Sequence, residues 1–159
     1  MPKIFNACEI ADLGIEKEKQ RRDFYDLVSR RFEDKEMKKL FTRLRDWEDE
    51  HIKKFTEIRE EISESESVES YPGELMSYMQ SLVGDILYNQ VTPDSFSRNV
   101  KTEIEAIDFG ISFEKDAILF FVEMYSFLNT PHKEVIQSLV NEEKKHIIYL
   151  ADLRKALKR

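Results

Sequence analysis

Residues 41–62 read FTRLRDWEDEHIKKFTEIREEI, and residues 136–157 read IQSLVNEEKKHIIYLADLRKAL. In the first stretch Phe41, Leu44, Glu48, His51, Phe55, Ile58 and Ile62 recur at steps of 3, 4, 3, 4, 3 and 4. In the second, Ile136, Leu139, Glu143, His146, Leu150, Leu153 and Leu157 recur at the same steps. That spacing keeps seven side chains on one face of an α-helix and describes a seam against a partner helix. Each seam is apolar except at its middle, where Glu-x-x-His interrupts it. A lone seam histidine is usually a core residue with a satisfied ring. A carboxylate one turn before it, in both seams, points to something more.

The likeness of the two stretches is part of a longer repeat. DLGIEKEK at 12–19 returns as DFGISFEK at 108–115, so that Asp12, Gly14, Ile15, Glu18 and Lys19 match Asp108, Gly110, Ile111, Glu114 and Lys115 at an offset of 96. Phe24 matches Phe120 at that offset, and the Glu-x-x-His motifs match at 95. Chance similarity of amphipathic helices explains shared Ile and Phe but not shared Gly, Asp, Glu and His. Two helical hairpins stacked about a pseudo-two-fold axis explain all of them.

The chain therefore reads as all-α, an antiparallel four-helix bundle in one domain, 1–159. Helices are expected over about 8–31, 35–62, 100–128 and 132–157. Phe32-Glu33-Asp34 and Asn129-Thr130-Pro131 form the short turns, with Thr130 as N-cap and Pro131 at the first helical position. Short turns make antiparallel neighbours. A crossover of about 63–100 joins the hairpins. It opens on the polar Ser63-Glu64-Ser65-Glu66-Ser67, runs through an amphipathic stretch from Leu75 to Tyr88 that suits a fifth, shorter helix, and turns at Thr92-Pro93-Asp94.

The first helix presents Ala11, Gly14, Glu18, Arg21, Tyr25, Val28 and Phe32 on one face. The third presents Ile107, Gly110, Glu114, Ala117, Phe121, Tyr125 and Leu128. One glutamate interrupts each. Residues at one level of an antiparallel hairpin are equidistant from its turn. Glu18 and Glu48 centre on position 33, and Glu114 and Glu143 centre between 128 and 129. Glu18, Glu48, His51, Glu114, Glu143 and His146 are thus expected at one level of the core.

Four carboxylates in an apolar core repel one another and lose their hydration, which is tolerable only if they are neutralised. Two divalent cations balance them, and two neutral imidazoles complete the set. One Glu from each of two helices, with Glu-x-x-His from each of the other two, matches the known pattern of di-iron and di-manganese carboxylate bundles. The oxygen-rich ligand set suits iron, or alternatively manganese, with zinc an option in isolated protein. His132, at a helix start without such a partner, reads as structural or solvated. Tyr25 reads as core packing, or as a hydrogen-bond donor near the site.

Composition removes other classes. A net charge of −7 disfavours nucleic acid and anionic membrane as partners. The longest apolar run, Ala117 to Val122, is far short of a membrane span. Cys8 is the lone cysteine, so no internal disulfide or four-cysteine metal site forms. With no signal-peptide pattern at the N-terminus, a reducing cytoplasm is the expected location.

Glu18 followed by Phe24-Tyr25, Glu48-x-x-His51, Glu114 followed by Phe120-Phe121, and Glu143-x-x-His146 resemble the rubrerythrin-like branch of the ferritin-like superfamily, over most of the chain outside the crossover. The resemblance implies a non-haem di-iron centre that reacts with peroxide or dioxygen. It implies bridging carboxylates from Glu48 and Glu143 and terminal ones from Glu18 and Glu114. Three departures follow. No rubredoxin-like domain is found, so an external redox partner protein must supply electrons. Ala117 stands where rubrerythrins carry an additional glutamate. Arg21 stands where a small residue is usual, and an arginine there is placed to pair with a site carboxylate and weaken or replace a metal. Three functions stay open: a di-iron peroxidase or ferrous oxidase in oxidative-stress defence, a metal-binding or iron-handling module without turnover, and a metal-free structural bundle. A homodimer is compatible with all three.

Overall fold

A computed structural model describes residues 7–62, 93–126, 128 and 130–158, with 74, 77, 78 and 81 from the crossover. Among the described residues all regular structure is helical. The elements are α1 (Ala7–Arg31), α2 (Lys35–Glu61), α3 (Pro93–Asn99), α4 (Glu103–Tyr125) and α5 (Thr130–Leu157). The expected helix over 75–88 lies largely outside the described residues.

The turn into α2 is fixed by Asp34, whose side chain accepts a hydrogen bond from the Met37 amide at 2.9 Å. That satisfies a donor the helix start would otherwise leave unpaired. The start of α4 differs from expectation. Thr102 caps it, accepting from the Glu105 amide at 3.1 Å, while a Glu105 carboxylate oxygen accepts from the Lys101 amide at 3.4 Å. The helix expected from 100 therefore begins at Glu103, and the preceding chain forms the separate α3. Pro93 opens α3 rather than a turn, as its fixed φ and missing donor allow. Phe96 of α3 packs edge-on against Phe24 at 5.8 Å between ring centroids, which docks this short helix on α1.

Two tight hairpins, α1 with α2 and α4 with α5, face each other through α2 against α5 and α1 against α4. The facing helices are antiparallel too. Phe24 meets Phe109 and Phe113, whereas Gly14 lies against Phe120. Glu61 meets His132, whereas Trp47 meets Tyr149. The apolar seam positions are buried at Phe41, Leu44, Phe55 and Ile58 on α2 and at Ile136, Leu139, Leu150 and Leu153 on α5, while Ile62 and Leu157 at the seam ends are only half-buried. Burial of each such side chain contributes roughly 1.5–3 kcal/mol. The face of α4 rotates near its end, so that Met124 is buried and Tyr125, expected inside, is exposed.

The repeat has a structural counterpart outside the core. Asp12 pairs with Arg59 at 2.8 Å in the first hairpin, and Asp108 pairs with Arg154 at 2.7 Å in the second. Such half-exposed pairs add little stability each, roughly 0.2–1 kcal/mol. They do register each hairpin in the same way. Gly14 is required by close approach: a Cβ there would lie 2.4 Å from the Phe55 ring and 2.8 Å from that of Phe120.

Candidate metal centre

The seam and face residues converge at mid-height of the bundle. Glu18, Glu48, His51, Glu114, Glu143 and His146 are each no more than 3% exposed. Their ligand atoms form two groups, Glu18–Glu48–His51–Glu143 and Glu48–Glu114–Glu143–His146, and within each group the atoms lie within 4.8 Å of one another. Glu48 and Glu143 belong to both. The coordinates thus give two donor groups that share two carboxylates, each with one further carboxylate and one imidazole, and each able to hold a metal ion.

The close contacts are not ordinary hydrogen bonds. His51 Nδ1 is 2.6 Å from Glu143 Oε1 and 3.5 Å from Glu48 Oε2. His146 Nδ1 is 3.4 Å from Glu114 Oε1, 3.5 Å from Glu143 Oε2 and 3.7 Å from Glu48 Oε1. Yet both oxygens of Glu18, Glu48 and Glu143, Oε2 of Glu114 and Nδ1 of both histidines lack hydrogen-bond geometry to any partner among the described residues. Glu18 Oε1 has the Arg21 guanidinium in contact, but the other donor atoms are crowded together without hydrogen-bond geometry. Buried polar groups without partners are rare and costly, and cations among them would satisfy them. Four carboxylates and two imidazoles fit a hard or borderline divalent ion pair.

Electrostatics show the same demand for positive charge. Burial, together with the charges of Glu48 and Glu143, holds the Glu18 carboxyl well above the usual carboxylate range, even with Arg21 pulling the other way. Burial opposes protonation of His51, but its contacts with Glu143 and Glu48 outweigh this and push its pKa up to about 12. Burial likewise favours the neutral Glu143 acid, but the two imidazoles win and hold it well below that range. Without a metal, the cluster is thus eased by a proton held on Glu18, a proton held on His51 and the buried Arg21 guanidinium, charges that bound cations would replace.

The rubrerythrin family model matches residues 9–154. The chain belongs to the rubrerythrin family. No curated protein matches it. Among solved structures, this rubrerythrin-family chain is similar to a protein from Thermotoga maritima described as a ferritin-like diiron-carboxylate protein. The TM-score is 0.73 at 20% identity, over 98% of each chain. The bundle is thus ferritin-like. No helix among its described residues is long and apolar enough to cross a membrane.

Four neighbours of the centre complete the geometry. Tyr25 reaches across from α1 and donates to Glu114 Oε1 at 2.5 Å. It is both packed in the core and hydrogen-bonded to the centre, on the opposite helix from the one whose face it shares. Arg21 contacts Glu18 through Nη2 and approaches Glu48 Oε2 with Nε at 3.7 Å, so the arginine departure takes the form of a buried ion pair. Glu142 escapes the sequence reading, because it steps off the α5 seam. Its carboxylate accepts from His51 Nε2, and that contact also keeps it ionised against the opposing effect of burial. A carboxylate accepting from Nε2 leaves Nδ1 turned to the centre and raises the basicity of the imidazole as a ligand. The signal lay in the register: the antiparallel pairing that sets Glu143 near Glu48 also puts residue 142 beside His51. Trp47 stacks on His146, with centroids 5.0 Å apart and planes 11° apart.

An open cleft of about 230 Å³ lined by Trp47, Glu50, Glu142, Lys145, His146 and Tyr149 leads from the surface to this wall of the centre. His132 lies away from it, with Nε2 2.7 Å from Glu61 Oε2, tying the start of α5 to the end of α2. That is the structural role read for it. Cys8 is buried and donates to the Ile62 carbonyl at 3.3 Å.

Proposed function

We propose that this chain is a non-haem di-iron carboxylate oxidoreductase that reacts with peroxide or dioxygen, in oxidative-stress defence or in ferrous-iron oxidation. The observation that carries the reading is the pair of buried donor groups sharing Glu48 and Glu143. Glu18 and Glu114 would be terminal ligands, Glu48 and Glu143 shared ones, and His51 and His146 the nitrogen ligands, one to each ion. Held by these residues, an iron pair would supply redox chemistry, one electron from each ion to a peroxide or dioxygen oxidant.

The protein's own part is positional. Glu142 orients His51, and the Trp47 indole restricts His146 to one ring plane. Tyr25 holds its hydroxyl oxygen 2.5 Å from Glu114 Oε1 and donates its proton there, where charge on that carboxylate would change as ligands come and go. The apolar rings above and below the centre, Phe55, Phe121 and Phe41, keep bulk water out. The cleft beside Trp47 and His146 gives a small oxidant its approach. Electrons to restore the reduced state would come from a separate donor protein. Manganese is the alternative metal, because the same oxygen-rich set suits it.

A second reading, metal binding without turnover, is favoured by Arg21, which occupies a terminal carboxylate within the centre. The two are separated by loading the protein with ferrous iron under argon and adding peroxide. Turnover with a two-iron optical change is expected for the oxidoreductase. Iron uptake without turnover would leave the binding module, and absence of iron uptake would remove both.

A further inference from the structure

Arg21 sits where neither the seam pattern nor the metal-ligand set calls for a cation. It is 2% exposed, among the largest fully enclosed side chains of the core. Its Nη2 contacts Glu18 Oε1, its Nε approaches Glu48 Oε2 at 3.7 Å, and Asp116 on α4 lies within its electrostatic reach. The repeat supplies a control. At the equivalent place one turn after Glu114 stands Ala117, which carries no charge. Glu114 instead receives the neutral Tyr25 hydroxyl.

We infer that Arg21 makes the two halves of the centre unequal: the Glu48–Glu114–Glu143–His146 half binds a divalent cation first and tightly, and the Glu18–Glu48–His51–Glu143 half binds the second only by displacing the guanidinium from Glu18. This rests on the di-metal reading above and sharpens it. With its three carboxylates ionised and its imidazole neutral, as metal binding requires, the Glu114 half offers a net charge of −3, and the Glu18 half, with Arg21 in contact, one of −2; the ion bound first then lowers what the second meets through the shared carboxylates. The attraction for the second is smaller, and one of its ligand oxygens is already occupied. Breaking a buried ion pair exposes an uncompensated charge, so the guanidinium does not leave freely.

Glu142 works in the other direction. By accepting from His51 it strengthens the imidazole of the Glu18 half as a ligand. Its side chain is 35% exposed, however, so water screens it, whereas Arg21 acts in direct contact within the closed core. The Arg21 effect is the larger.

The test is a titration of metal-free protein with Mn2+ under argon, followed by calorimetry and by electron paramagnetic resonance. The parent protein is expected to show two steps, the second weaker by roughly 5- to 150-fold, the usual range for coupling between two sites. The spectrum at one equivalent should be that of an isolated ion, becoming that of a coupled pair when the second step fills. Arg21→Gln, nearly the same size and uncharged, should tighten the second step and leave the first nearly in place. Two equal steps in the parent, or a gap of unchanged size in Arg21→Gln, would overturn the inference and leave the di-metal reading standing. No Mn2+ uptake by either protein would remove the di-metal reading itself. Should Arg21→Gln not fold, Glu114→Gln in the parent decides. Loss of the tight step with the weak one retained supports the order of filling; loss of the weak step with the tight one retained reverses it.

Discussion

Around Glu18 and around Glu114 the same backbone carries different neighbours. The two glutamates are related by the repeat, face equivalent Glu-x-x-His pairs and belong to donor groups that share Glu48 and Glu143. Yet Glu18 has a guanidinium beside it, and the residue equivalent to Tyr25 on its side is Phe121, which offers no hydrogen bond. Glu114 has Ala117 one turn on and a phenol hydroxyl at 2.5 Å. The histidines differ likewise: His51 is held by Glu142, and at the equivalent of Glu142 stands Trp47, which stacks on His146. The ligand positions keep the symmetry, and every polar neighbour breaks it. A duplicated scaffold thus holds the ligand geometry constant while the surrounding shell makes the two halves chemically distinct.

The largest expected effect falls on the residues the halves share. Glu143→Ala removes a ligand from both donor groups, whereas Glu18→Ala removes one from a single group. Metal analysis of protein loaded and then desalted should show Glu143→Ala retaining essentially none and Glu18→Ala retaining the ion of the Glu114 half. Equal loss in the two variants would break the comparison, since it would mean that neither half binds alone.

The next effect separates the histidines. Glu142→Gln keeps a side chain of similar shape but withdraws the charge that orients His51, and loss of such a partner costs roughly 10- to 100-fold in metal affinity. Trp47→Phe keeps an aromatic ring over His146 and should change affinity far less. Calorimetric titration of the two variants checks this. A larger loss in Trp47→Phe would mean that stacking, rather than the carboxylate, sets ligand strength here.

Both comparisons bear on what the sequence could disclose. The convergence of six polar side chains was legible because helical period and hairpin height are geometric, and Glu48, His51, Glu143 and His146 sit on seams whose remaining members are all apolar. The hairpins were legible for the same reason. Glu142 was not, because a residue one step off a seam looks like any solvated helix position until the facing helix is placed. The direction of Tyr25 was not, because a face assigns a residue to a helix side without saying which neighbouring helix it reaches. The start of α4 falls at Glu103 rather than at about 100, because Thr102-x-x-Glu105 caps the helix there, a signal that hydrophobic period does not carry. Val100 is buried, but it belongs to the docking of α3.

A smaller effect compares the paired glycines. In a helix interior Gly→Ala usually gains up to about 1 kcal/mol. At Gly110 the added Cβ would meet Leu150 Cδ1 at 3.3 Å, the end of a flexible side chain. At Gly14 it would meet a Phe55 ring carbon at 2.4 Å, with Phe120 at 2.8 Å on another side. Both rings are buried in the core, and neither is the free end of a flexible chain like Leu150 Cδ1. Gly110→Ala should therefore leave the thermal midpoint level or raise it, while Gly14→Ala should cost about 1–3 kcal/mol, the range for overpacking a core. Denaturant melts of both variants give the difference directly.

The smallest effect is that of Tyr25→Phe, and it probes the Glu114 half without disturbing a ligand. The ring, fully buried and packed edge-on against Phe41 at 5.7 Å and Phe24 at 6.0 Å, is retained, so only the hydroxyl is lost. In the metal-free protein that hydroxyl donates to Glu114 Oε1, and its removal should cost about 1 kcal/mol, the net worth of a typical hydrogen bond. With a dication in the Glu114 half the carboxylate has a stronger partner, and the cost of losing the phenol should shrink. Unfolding of parent and variant, each with and without Mn2+, separates the cases. A deficit that is present in the metal-free pair and diminished in the loaded pair places the metal at Glu114. A deficit of the same size in both would mean that Glu114 keeps the phenol as its partner whether or not metal is bound, and the equivalence of Glu114 with Glu18 as a ligand would fail.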